Sequence, residues 1–274
     1  MPSRSQIVCT IGPASQEPAI LDALIAHGMD VARLNFSHGT YENHALLIKN
    51  IRDAAKRAGR IIPIIQDLSG PRVQEGAGHH MDPNAVEVIT EKDLKDLDFG
   101  LSQHVEYVCL SYVDSAKDVN DLRSEIQSRY SKFVIRNSEF ASPPRVMAKV
   151  ERKEALENIE EIIAASDAVM LGRGDLGQNI PIEQVPFAEA MVVHHCKEKK
   201  KPVIVATEML KSMVENPTPT RAEVTDIAYA IILGADAVML SEETARGRHP
   251  VEAVTVMEKV CSEAEKYERD VNPL

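Results

Sequence analysis

Two periodicities alternate along this chain. Short apolar runs of strand length fall at Gln6–Ile11, Asp30–Phe36, Ile61–Leu68, Val105–Tyr112, Arg145–Val150, Asp167–Leu171, Pro202–Ala206 and Asp236–Leu240. Between and after them lie longer stretches of helical character, near Pro18–His27, Tyr41–Ala58, Glu91–Ser102, Ala116–Tyr130, Lys153–Ala164, Ile182–Lys199, Arg221–Leu233 and Pro250–Arg269. An apolar run that ends in charge reads as a strand buried on both faces, as in a parallel sheet. Eight strands alternating with eight helices predict a closed (β/α)8 TIM barrel rather than an open sheet. Thr220 followed by Glu223 has the spacing of a capping box opening the seventh helix, and Gly234 has the place of its C-terminal stop.

Two stretches break the rhythm. Gln74–Val88, QEGAGHHMDPNAVEV, lacks clear periodicity and predicts a loop on the side where barrel active sites are built. Arg136–Pro144 is also irregular and falls before the fifth strand, away from the chemistry. Residues 1–274 therefore read as one barrel domain with a short loop at 74–88.

Charge and cysteine usage narrow the classes. A net charge of −11 argues against non-specific nucleic-acid binding. It leaves anionic substrates open, because a local metal ion can reverse the field. No apolar stretch approaches membrane-spanning length, and the first residues lack a signal-peptide core. Cys9, Cys109, Cys196 and Cys261 are widely spaced, which predicts reduced, buried thiols in a cytoplasmic protein.

The chemistry collects at strand ends. The fifth strand ends in Lys149-Val150-Glu151, and the sixth runs into Gly172-Arg173-Gly174-Asp175. In a parallel sheet these ends share one edge. Two carboxylates beside an ammonium can hold a hard divalent cation and leave one positive group for an anionic substrate. The plainer alternative is that charged residues merely end strands in water. Strand two ends with Arg33, Asn35 and Ser37 on one side. Arg33 suits a phosphate or carboxylate, whereas Asn35 and Ser37 offer neutral oxygens to a cation or else cap the turn at Gly39. Asp67 is a candidate third carboxylate or a turn residue. Thr207 brings a hydroxyl that either relays a proton or caps a turn. Tandem His79 and His80 are weak metal candidates in a loop.

Together these ends resemble pyruvate kinase. The matching text is CTIGPAS, ARLNFSHG, a degraded DLSGP, KVE, GRGDLG, KPVIVATEML, PTRAEVTDIA and GADAVMLSEETARG, in order from Cys9 to about Glu265. The resemblance implies the (β/α)8 barrel that carries that family's active site. It implies that Lys149 stabilises charge on the enolate oxygen and transferring phosphoryl group, and that Glu151 and Asp175 bind Mg²⁺ or Mn²⁺. The backbone at Gly174 and Asp175 would cradle the substrate carboxylate, and Thr207 would position substrate and deliver a proton. Asn35, Ser37 and Asp67, with the Leu68 carbonyl, resemble a K⁺ site. Arg33 resembles the arginine bridging the K⁺ region and phosphate, and His38 a nucleotide-side contact. The implied substrates are phosphoenolpyruvate with ADP, or pyruvate with ATP. A homo-oligomer through barrel-to-barrel contact is a further expectation.

The departures cluster. A β-rich lid domain usual after the third strand of that family is replaced by Gln74–Val88, and the expectation is a barrel without that family's C-terminal domain. Asp-Thr-Lys-Gly-Pro has become Asp67-Leu68-Ser69-Gly70-Pro71. The arginine expected next falls at Gln74, with Arg72 near but out of register. Three functions fit this mixture. One is a minimal pyruvate kinase. Another is a metal-dependent pyruvate or oxaloacetate lyase or decarboxylase acting through an enolate. The third is an inactive ligand-binding or regulatory barrel.

Overall fold

The alternation of buried and lining positions resolves into ten strands among the described residues. A computed structural model describes residues 3–75, 78–134 and 142–271. Its strands are β1 (Gln6–Thr10), β2 (Met29–Asn35), β3 (Ile64–Asp67), β4 (Arg72–Glu75), β5 (Gly78–Met81), β6 (Tyr107–Leu110), β7 (Arg145–Val150), β8 (Ala168–Gly172), β9 (Val203–Ala206) and β10 (Ala237–Leu240). Eight of them close a parallel barrel in the order β1-β10-β9-β8-β7-β6-β3-β2, and β4 and β5 form a separate pair. Helices cover the outside, so the predicted (β/α)8 architecture is the observed one. Among the described residues no helix is long and apolar enough to cross a membrane.

Strand alternation splits the core into two shells. Val8, Val31, Ile65, Cys109, Met147, Met170, Ile204 and Met239 pack together inside the barrel. Their neighbours, such as Ile7, Ala32, Ile64, Val108 and Val146, pack against helix residues including Leu21 and Ile51. Burying such a side chain stabilises the fold by about 1.5–3 kcal/mol. Two residues beyond the apolar inner layer the same side turns polar. Val8 is followed by Thr10, Val31 by Arg33, Ile65 by Asp67, Cys109 by Ser111 and Met147 by Lys149, all five buried. This polar layer lies at the carboxyl mouth of the barrel. All four cysteines are free and buried.

The predicted capping box is present. Thr220 Oγ1 accepts from the Glu223 amide while the Glu223 side chain accepts from the Thr220 amide, and Gly234 ends the helix at φ 99°. That φ is left-handed, where glycine carries no Cβ penalty.

Several expectations need correction. Gln74–Val88 is not wholly a loop. β4 and β5 pair antiparallel, with Gln74 opposite His79 and Val73 opposite His80. The fifth helix divides at Asn158 into Lys153–Glu157 and Ile159–Ala165, where the Asn158 amide group caps the Asp114 carbonyl at 2.9 Å. The sixth begins as a 3-10 turn, Ile182–Gln184, before Val185–Glu198. Short helices at Arg173–Asn179 and Glu242–Ala245 have no counterpart in the periodicity. Most of Arg136–Pro144 lies outside the described residues.

Candidate active site at the carboxyl mouth

The centre of the mouth is a buried ion cluster assembled across strands. Lys149 Nζ lies 2.9 Å from Glu151 Oε1 and 3.4 Å from Asp67 Oδ2. Arg33 grips the same Asp67 oxygen, with Nε at 2.8 Å and Nη2 at 2.6 Å, while its Nη1 donates to Thr10 Oγ1 at 3.1 Å. Ser111 closes the ring. Its hydroxyl accepts from Lys149 at 3.3 Å and donates to the Leu68 carbonyl at 2.7 Å. The register explains the meeting: Thr10 pairs with Arg33 and Asn35 with Asp67, so polar ends from β1, β2 and β3 reach the same height.

Electrostatics follow from burial and these partners. Burial alone would raise the Asp67 carboxyl, but the Lys149 and Arg33 cations outweigh it and hold it below the ordinary range. Burial alone would lower the Lys149 ammonium, but Asp67 and Glu151 outweigh that and raise it. Lys149 is thus a fixed cation rather than a proton donor near neutrality. Glu151 behaves differently. Burial pushes its carboxyl up to about 7, Lys149 opposes the rise, and the Asp175 carboxylate adds to it.

The donor set suits a divalent cation. Glu151 Oε2 accepts the Tyr112 amide at 3.1 Å, and the buried Oε1 faces the Lys149 ammonium at 2.9 Å. Glu151 and Asp175 thus concentrate negative charge that Lys149 only partly offsets. Among the described residues no group of three His, Cys, Asp or Glu is arranged around one ion. Mg²⁺ does not need one, because it commonly takes one or two carboxylates and completes its octahedron with substrate oxygens and water. Gly172 makes the room: a Cβ there would stand 2.8 Å from Glu151 Cγ.

On the β2 side, Asn35 Oδ1 accepts the Ser37 amide at 3.1 Å, which is the turn-capping role. Ser37 Oγ is nevertheless buried with no hydrogen-bond partner, as an oxygen donor for a monovalent cation would be. His38 is exposed on the following turn, and its carbonyl accepts from His44 Nε2 at 2.9 Å. Lys92 Nζ bonds the Phe36 carbonyl at 2.7 Å and Ser69 Oγ at 3.1 Å, tying the turns after β2 and β3 together.

Gly174 and Asp175 lie in the first turn of Arg173–Asn179, where amides lack intrahelical partners. Thr207, just past β9, has φ 79°, and Glu208 has φ 60°. A Cβ at Gly174 would meet Thr207 Cγ2 at 2.7 Å, so these two ends are packed directly together.

Three residues, Thr10, Ser111 and Tyr112, were invisible to sequence reasoning, and Arg72 was noted there only as out of register. Thr10 and Ser111 looked like ordinary strand polar groups; their period-two offset from apolar inner residues is the signal that finds them. Tyr112, at φ 57°, turns its amide to Glu151, and burial raises its hydroxyl to about 12. Arg72, which the chain order places out of register, has a buried Nε without a hydrogen-bond partner. Its charge reaches the mouth, adding to the lowering of Asp67 and opposing the rise at Tyr112.

A family model described as "Pyruvate kinase, barrel domain" matches residues 2–84 and 78–254, changing segment at the β4–β5 hairpin. A pyruvate kinase of Dictyostelium discoideum is 34% identical over 351 aligned positions, covering 97% of this chain and 67% of the relative. One from Agrobacterium vitis is 35% identical over 345 positions, covering 96% and 70%. One from Mycobacterium tuberculosis is 33% identical over 354 positions, covering 100% and 73%. These alignments are longer than the 274-residue chain, so the relatives carry internal residues with no counterpart here. A family match on both sides of the hairpin, and relatives a third identical across essentially the whole sequence, place this chain in the pyruvate kinase family.

Proposed function

We propose that this chain transfers a phosphoryl group between phosphoenolpyruvate and ADP, giving pyruvate and ATP. The observation that carries the reading is the Lys149 ammonium, buried between Asp67 and Glu151, which favour its charged form, at the barrel mouth. Phosphoryl transfer needs little covalent help from a protein; it needs positioned positive charge. Lys149 supplies it to the enolate oxygen and transferring phosphoryl group. Arg33, oriented by Asp67 and Thr10, holds the phosphate. The amides at Gly174 and Asp175 receive the substrate carboxylate. Thr207 positions the substrate and delivers the proton to the enolate carbon. His38 belongs to the nucleotide side. When bound, a divalent cation held by Glu151 and Asp175 would neutralise substrate oxygens, and K⁺ would be held by Asn35, Ser37, Asp67 and the Leu68 carbonyl.

In this reading residues 1–274 act as one barrel domain, and the β4–β5 hairpin stands where relatives carry a lid. Exposed Ile182 and Phe187 support barrel-to-barrel association, and the four free cysteines support a cytoplasmic setting.

The test is a coupled assay of the purified chain with phosphoenolpyruvate, ADP, Mg²⁺ and K⁺, omitting each in turn. ADP-dependent pyruvate formation is expected. Its absence at high enzyme concentration, with oxalate still binding alongside Mg²⁺, would overturn the proposal and leave an enolate chemistry without nucleotide.

A further inference from the structure

Thr207 holds a backbone conformation that threonine rarely adopts. Its φ of 79° lies in the left-handed region, and Glu208 follows at 60°. For a β-branched residue this is an outlier that persists only where the surroundings over-determine it. The surroundings here are the Arg173 side chain, which is 10% exposed. Its Nε donates to the Ala206 carbonyl at 3.4 Å, and its Nη2 donates to the Thr207 carbonyl at 2.9 Å. These carbonyls belong to the two peptide units flanking the Thr207 Cα, and the orientations of those units define φ and ψ there. One guanidinium therefore grips both halves of the strained residue.

Arg173 is itself fixed. Asp226 takes its fork with two contacts of 2.6 Å, and Glu189 Oε2 accepts from Nη1 at 3.0 Å. Beyond the strained pair, Glu243 Oε1 accepts the Leu210 amide at 3.0 Å. The residue after Arg173 is Gly174, whose missing Cβ leaves the space that the Thr207 methyl fills.

We propose that Arg173 is the positioning residue for Thr207: it holds the threonine backbone left-handed so that its hydroxyl faces the substrate, with Asp226 and Glu189 holding Arg173 in turn. The assignment rests on the reading that Thr207 acts on the enolate. A side chain misplaced by about an ångström can cost on the order of a hundredfold in rate. Arg173→Gln should accordingly lower kcat, and pyruvate methyl proton exchange, by about a hundredfold. The KM for phosphoenolpyruvate should move by less than about threefold.

The decisive measurement is a double-mutant cycle. If Arg173 acts through Thr207, Arg173→Gln adds no further loss in a Thr207→Ala background. Hydrogen exchange supplies a readout free of activity: amides 207–210 should lose protection by about tenfold or more in Arg173→Gln, while β8 and β9 stay protected. Asp226→Asn, which keeps shape and weakens the fork, should lower kcat by about tenfold and stands in if Arg173→Gln does not fold. Losses that multiply in the double mutant, wild-type kcat in the single, or unchanged exchange at 207–210 would overturn the assignment. A wild-type chain without transferase activity would sink the proposed function alone, and the exchange rates would still decide the role of Arg173.

Discussion

Lys149 and Glu151 stand two residues apart, and the ammonium of one lies 2.9 Å from the carboxylate of the other. The carboxylate proposed to hold a divalent cation is thus the one that anchors the lysine proposed to stabilise the transition state. A divalent cation at Glu151 would repel the Lys149 ammonium 2.9 Å from its Oε1, so metal binding should turn Lys149 toward the substrate. Glu151→Gln should weaken Mg²⁺-dependent oxalate binding about tenfold or more while the barrel stays folded. Calorimetric titration with a parallel thermal melt checks this; an unchanged Mg²⁺ titration would take Glu151 out of the metal site.

Lys149→Met tests the other half of the pair. Removing a preorganised electrostatic stabiliser commonly costs about a hundredfold or more in rate. Phosphoryl transfer should fall at least that far, while Mg²⁺ binds as well as before or better, because Glu151 loses its competing partner. Near-wild-type turnover would remove Lys149 from the mechanism.

Gly172 gives an independent handle on Glu151. A methyl there would lie 2.8 Å from Glu151 Cγ and 2.9 Å from its Oε1. Gly172→Ala should reduce Mg²⁺ affinity and turnover together, with a stability loss of about 1–3 kcal/mol from overpacking. Unaltered Mg²⁺ affinity would mean that the carboxylate position does not matter.

If the β4–β5 hairpin stands in for a lid, as proposed, the mouth should be more open to water, and a wet site weakens each electrostatic contact. Phosphoenolpyruvate or oxalate should bind with metal more readily than ADP does. Arg72→Ala should depress ADP phosphorylation more than pyruvate proton exchange, because Arg72 lines the hairpin side of the mouth while Lys149, Glu151 and Thr207 are untouched. Both rates are measured on one preparation. Tight, saturable ADP binding with fast phosphorylation would show that the hairpin replaces a lid fully.

Glu265 predicts a pH effect away from the site. Burial alone would raise its carboxyl, but the Arg4 and Ser5 amides and the Ser5 hydroxyl outweigh it and lower it. A depressed folded-state value stabilises above the unfolded carboxylate range, and that stability is lost as pH falls through the folded value. Glu265→Gln should cost about 1–3 kcal/mol at pH 7, with the difference from wild type shrinking as the pH falls below about 4. Paired urea melts at both pH values check it; a penalty independent of pH would assign the effect to packing.

Much of this was legible along the chain because strand and helix periods are local properties. Apolar runs of strand length alternating with helical stretches named the barrel, and charged or hydroxyl residues at the ends of those runs marked Lys149, Glu151, Asp175 and Thr207 as candidates. The Thr220–Glu223 box and the Gly234 stop were legible too, since caps depend on neighbours within one turn. Tertiary structure alone decided which ends meet. Asp67 is shared by Arg33 and Lys149 because parallel register sets three strands at one height, and register is not written in any single strand. Ser111 and Tyr112 enter the site from just past β6 for the same reason. The hairpin at β4–β5 escaped notice because its strands are four residues each, too short for a periodicity to register. Arg173 read as a charged residue among glycines, and its grip on Thr207 exists only once β8 and β9 lie side by side, bringing together groups 34 positions apart in the chain.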